Sequence, residues 1–164
     1  MNIFVLSDNI KESAIFHTDK HIVKMPTETA QMLSFNYYHK ELWDGKIPPF
    51  VMAFSKTHDL HPCTVWMRKS LSNWLWSVNF GLALYEEYQF RYNKPDKHLR
   101  ARQIFEFALK NQPNLPNIGL TPFVEAMDDV FKVSNCTIEN YRNYYLKDKS
   151  HLFKWTKRNK PYWV

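Results

Sequence analysis

The chain has 164 residues, a net charge of +6 and 45% hydrophobic residues, which suits one folded domain with a sizeable core and argues against disorder. With mean hydropathy −0.51, two cysteines and three glycines, it leaves no room for a membrane span, a disulfide framework or a glycine-rich phosphate loop. The start, MNIFVLSDN, lacks the charged and apolar regions of a signal peptide, so a cytoplasmic protein is expected.

In chain order, residues 3–6 form a short apolar run, a strand or a buried lead-in. Ser7 or Asp8 is placed to cap a short helix to about Phe16, and Asp19 a longer one to about His39. Pro26 predicts a kink or restart in that second helix, because proline lacks the N–H and clashes one turn back. Residues 44–62, with Gly45, Pro48, Pro49 and Pro62, read as a long loop. Helical spacing returns from about Thr64 to Tyr92, with Val65, Arg68, Leu71, Leu75, Val78, Leu82 and Tyr85 on one stripe and Gly81 as the expected break. A helix over about 97–110 and a proline-rich connection over 111–122 follow. Then come a helix opening at Thr121 or Pro122 and ending near Lys132, and one capped by Thr137 to about Lys147. The predicted class is mainly α, a single compact helical domain spanning 1–164, with residues 3–6 as its one candidate strand.

The charge is localised. Residues 141–164 carry seven basic residues against the single acid Asp148, so the whole excess of +6 sits in this segment and the rest balances. Lys154, Lys157 and Arg158 alternate there with Trp155 and Trp163. Cations interleaved with flat rings suit a nucleic acid, through phosphate neutralisation and base stacking. The other reading has the rings packed on the core with the lysines solvated. A second basic cluster, Lys94, Lys97, His98, Arg100 and Arg102, adds only supporting electrostatics.

On the second helix, His21, Lys24, Glu28 and Gln31 fall in a band about 80° wide at about 100° per residue. Ile22, Met25, Thr29, Met32 and Leu33 form the adjacent core face. A carboxylate beside an amine and an imidazole can stabilise a developing cation, position water and move protons. A solvated Lys–Glu pair is the plainer reading of the same stripe.

The run from Thr57 to Trp66 brings His58, His61 and Cys63 to a helix start. No paired-cysteine, H-E-x-x-H or deaminase motif accompanies them, so no metal is expected, and Cys63 has no visible partner to activate it as a nucleophile. Exposed N–H groups at a helix start suit phosphate instead. With Arg68 and Asn73 downstream, His58 and His61 could line a nucleotide pocket.

Together, the apolar start, His21 and Glu28 seven apart, His61-Pro62-x-Thr64-x-Trp66 opening a long helix with Leu71, Leu82, Glu86 and Arg91, and the ending KWTKRNKPYW resemble the pyrimidine dimer DNA glycosylases of phages and bacteria. The likeness covers about half the chain. The segment DKHIVKM also looks like that of phage proteins of uncharacterised activity. The resemblance implies a small all-α fold, DNA as partner, and cleavage of an N-glycosidic bond through an imine followed by strand nicking, without a cofactor. It implies Glu28 as the supporting glutamate and the α-amine of Met1 as nucleophile. Asn2 departs from the family's small residue after methionine removal, which makes Lys24 or Lys20 the alternative amine.

The functional expectation is a DNA-acting enzyme at a nucleobase or N-glycosidic bond, a DNA glycosylase with or without a lyase step. Glu28, Lys24, His21 and Met1 are the catalytic candidates. Gln31, His58, His61, Arg68, Asn73, Lys154, Trp155, Lys157, Arg158 and Trp163 are the substrate-binding ones. A phage enzyme acting on free nucleotides and a non-enzymatic nucleic-acid-binding or host-inhibiting protein are the alternatives. The setting is the cytoplasm of a bacterial or phage-infected cell, without membrane association. Oligomeric state is not encoded in any motif.

Overall fold

A computed structural model describes residues 1–51 and 58–164. It contains α1 (Ile10–Phe16), α2 (Asp19–Asn36), α3 (Pro62–Met67), α4 (Leu71–Tyr92), α5 (Leu99–Lys110) and α6 (Thr137–Asp148), with 3₁₀ turns at Asp129–Phe131 and Ser150–Leu152. The protein is all helical among the described residues, as its composition and periodicity predict.

α4 is the central element. α1, α2 and α5 pack around it, α2 also meets α5, and α3 lies against both α2 and α4. Enclosure on several sides hides the single stripe predicted for it. Trp74, Val78, Phe80 and Leu84 are fully buried, whereas Leu75 and Leu82 are only partly covered. The predicted break at Gly81 does not occur. A β-carbon there would come within 2.4 Å of the Phe105 ring, so glycine lets α5 approach α4 closely. The interruption comes earlier, between Met67 and Leu71, where Ser70 caps α4 by accepting from Asn73 N.

α2 continues through the buried Pro26 to Asn36, without the predicted restart and three residues short of His39. Its N-cap is Thr18 rather than Asp19, and α1 is capped by Asn9, which accepts from Glu12 N at 3.0 Å, rather than by Ser7 or Asp8. Asp19 instead joins a buried charge network. The Arg91 guanidinium has no exposed side-chain surface and donates to Asp19 at 3.0 Å, to Glu87 at 2.7 Å and to the Ile15 carbonyl at 2.8 Å. Arg158 clamps the other side of Glu87 at 3.0 and 2.7 Å, and Thr156 donates to Asp19 twice. Two acids and two guanidiniums close this network, and removing one member of such a set typically costs about 3–5 kcal/mol.

Residues 3–6 form no strand. Ile3, Val5 and Leu6 are fully buried, but Leu6 N–H donates to Ser13 Oγ at 3.0 Å and the Leu6 carbonyl accepts from Arg142 at 3.0 Å. Side chains thus satisfy backbone groups that a ladder would otherwise pair. The same cause removes the α-helix predicted over 121–132, of which only the turn Asp129–Phe131 remains. Thr121 N–H donates to Asn73, the Pro122 carbonyl accepts from Trp66, and the Ala126 carbonyl accepts from Asn2. The long-loop prediction holds over 44–51, and its portion at 52–57, with Thr57 of the His61 run, lies outside the described residues.

Candidate active site at the chain start

Asn2 fixes where the chain begins. Its buried carbonyl oxygen accepts from Ile3 N–H at 2.8 Å, Phe4 N–H at 3.3 Å and the Tyr141 hydroxyl at 2.8 Å, and its amide donates to the Ala126 carbonyl at 2.8 Å. The turn so formed holds Phe4 at φ +35°, a conformation costly for a bulky residue. It lays the Phe4 ring on the His21 imidazole, with centroids 4.5 Å apart and planes 15° from parallel.

The amino group of Met1 therefore points toward α2, at the edge of a cavity of about 230 Å³. Its walls carry His21, Lys24 and Glu28 from α2, Tyr144 from α6 and Lys149 just beyond it. Glu28 sits between two amines: Lys24 Nζ is 2.8 Å from one carboxylate oxygen and Met1 N is 3.9 Å from the other. The Lys24 side chain is 65% exposed, whereas the Met1 side chain is 4% exposed and Met1 as a whole is half-buried. His61 caps α3 by accepting from Cys63 N–H at 3.2 Å, and its ring lies close to Met1.

The electrostatics favour a neutral imidazole. Burial, reinforced by Lys149 and Lys24, lowers the pKa of His21 to about 4, and its Nδ1 pairs with the Tyr145 hydroxyl. Burial also lowers the pKa of His61, helped by the nearby Met1 amino group. Cys63 beside them is no nucleophile, because burial pushes its thiol up to about 12. The arrangement offers a primary amine at a cavity edge for carbonyl chemistry, a carboxylate placed to stabilise cationic charge, and cations able to hold phosphate.

Three of the four α2 stripe residues thus face one cavity together with Met1. Gln31, one turn further on, is half-buried and lies outside its walls. The predicted nucleotide pocket of His58, His61, Arg68 and Asn73 does not assemble. Asn73 is fully buried and occupied by the Trp66 carbonyl and by both backbone and hydroxyl of Thr121. Arg68 is held by Asp59 at 2.7 Å, His58 is exposed near Phe35, and only His61 reaches the chain start.

The tail is stitched to the body. Trp155 donates to the Phe16 carbonyl at 2.9 Å, Trp163 packs on Phe16 and Tyr145, and Arg158 is committed to Glu87. Lys157 reaches the Phe90 carbonyl, and Lys154 is exposed. None of these five tail residues lines the Met1 cavity; the C-terminal contribution comes from Tyr144 and Lys149 instead. Sequence spacing does not single out those two, nor Asn2, whose role depends on a hydroxyl 139 residues away.

Among the described residues no group of three or more His, Cys, Asp or Glu is placed to hold a metal ion, and no helix is long and apolar enough to cross a membrane. Comparison with protein-family models, with curated proteins and with solved structures finds no match for this chain.

Proposed function

We propose that the Met1 cavity is the centre of a DNA glycosylase that works through an imine, in the manner of the pyrimidine-dimer enzymes, inside a bacterial or phage-infected cell. The observation that supports this reading is the Met1 amino group 3.9 Å from Glu28, at the edge of a cavity rimmed by Lys24 and Lys149. In its neutral form the amine attacks C1′ of the deoxyribose. The N-glycosidic bond breaks with its electron pair passing to the base, which takes up a proton. Transfer of an amine proton to the ring oxygen opens the sugar and leaves an imine at C1′. Glu28 stabilises the oxocarbenium-like charge at C1′ and then accepts a proton from C2′, after which the 3′ phosphate departs by elimination. Lys24 and Lys149 hold phosphate, and neutral His21 supplies a hydrogen bond without competing for it.

The test is borohydride trapping on duplexes carrying a pyrimidine dimer, an abasic site or no lesion, with the adduct located by peptide mass. The expected adduct lies on Met1, and a two-residue extension ahead of Met1 abolishes it. Absence of any adduct or released base on all three duplexes refutes the proposal.

A further inference from the structure

A second hollow, of about 560 Å³, lies on the other flank of α2. Val23 from α2, Tyr92 from the end of α4, and Leu152 and Phe153 give it apolar and aromatic walls, and Lys20, His151 and Lys154 bring positive charge to it. Its one acid, Asp19, is already engaged by Arg91 and Thr156. Both hollows are built from the same two pieces of chain. α2 gives Lys20 and Val23 to one and Lys24 to the other, while the segment after α6 gives His151–Lys154 to one and Lys149 to the other. Lys20 and Lys24 are one turn apart, about 6 Å along the helix axis. Val23 between them is 48% exposed, an apolar residue on a cationic ridge. The other acids bordering the run are paired, Asp148 with Lys149 at 2.7 Å and Glu28 with Lys24.

Resting on the reading of the Met1 cavity as a DNA site, we infer that the two hollows form one strand-binding groove: the nucleotide next to the reacting one places its base between Val23 and Phe153, with its phosphates on Lys20 and Lys154. A chain of cations beside an aromatic-walled slot matches a polyanion with stackable bases. A neutral peptide or lipid tail would leave these lysines without a partner.

The experiment measures binding of a fluorescent duplex with a single abasic site across a salt series, using the full chain. In Lys20→Ala/Lys154→Ala, affinity at low salt falls at least tenfold and the slope of log affinity against log salt flattens by roughly 2, at about 0.9 per phosphate contact. Lys46→Ala/Lys110→Ala, which removes two exposed lysines lining neither hollow, leaves both unchanged. Phe153→Ala weakens binding about fivefold or more, but has no effect on a duplex that also lacks the base beside the abasic site. Val23→Ser, at an exposed position that does not threaten folding, repeats that pattern. An unchanged salt slope in the lysine pair overturns the groove, as does an equal effect of Phe153→Ala and Val23→Ser on both duplexes. Wild-type binding with the stated slope but no borohydride adduct removes the glycosylase chemistry and leaves the groove standing. Adduct formation with unchanged slopes does the reverse.

Discussion

Acidification from pH 6.5 to pH 5 should destabilise the fold sharply, through two histidines buried without charge. Burial, with the neighbouring His21, takes His17 to about 3, and burial with Lys149 and Lys24 takes His21 to about 4, against an ordinary value of 6.5. Because both folded values lie below the unfolded one, their contribution is complete well above pH 6.5 and shrinks as pH falls through it. Near pH 5 the unfolded chain binds two protons that the native state refuses. Each proton costs about 1.4 kcal/mol per pH unit once the unfolded chain carries it, and since the unfolded imidazole is half-protonated at pH 6.5 the pair removes about 3 kcal/mol between pH 6.5 and 5. For a chain of this size that is a drop in Tm of about 6–12 °C. The carboxylates of Asp19 and Asp59, held low, lose their contribution only near and below 3.8, outside the window. His61 and His98, also lowered, act in the same direction. Calorimetric melts at half-unit pH intervals measure the slope, and His21→Phe should flatten it by about 1.4 kcal/mol per pH unit whatever its effect on absolute stability. A Tm constant from pH 7 to 5, or a variant slope equal to wild type, refutes the reasoning.

Other expectations follow from the site and the packing. Glu28→Gln should stay folded and bind DNA as well or better, while turnover falls by about two to three decades, the scale of about 3–4 kcal/mol of lost transition-state stabilisation. A large drop in Tm with unchanged activity per folded molecule would make Glu28 only a structural partner of Lys24. Gly81→Ala should destabilise by about 1–3 kcal/mol through overpacking against Phe105, with partial recovery in Gly81→Ala/Phe105→Leu, and a neutral denaturant midpoint would contradict that contact. Deleting residues 155–164 should abolish cooperative melting, since it strips Arg158 from Glu87 and Thr156 from Asp19. A truncated chain that still melts cooperatively would show the tail to be dispensable.

The helical class was legible because apolar residues recur at helical spacing in every long segment, and α2 offered both faces cleanly. Ile22, Met25, Thr29, Met32 and Leu33 are buried, and His21, Lys24 and Glu28 meet at one cavity despite Pro26. Spacing within one helix carries that information. It does not carry pairings between distant segments, which is why Tyr144 and Lys149 were not singled out for the cavity and why residues 121–128 read as a helix. Their backbone groups are taken by Asn73, Trp66 and Asn2, partners that no local pattern announces. The tail's alternation of rings and cations served two physical ends at once. Its rings pack on Phe16 and Tyr145, Arg158 neutralises Glu87, and Lys154 remains for solvent or ligand.

The bond between Asn2 and Tyr141 also has a consequence for the order of folding. Asn2 gains its settled position only when a hydroxyl 139 residues later has come into place. Arg142 on Leu6 and Thr156 on Asp19 repeat that long reach. Contacts of such separation form slowly and late. Until that closure is made, Met1 and Glu28 have nothing that holds them together, so the geometry of the cavity depends on the last segments of the fold to settle.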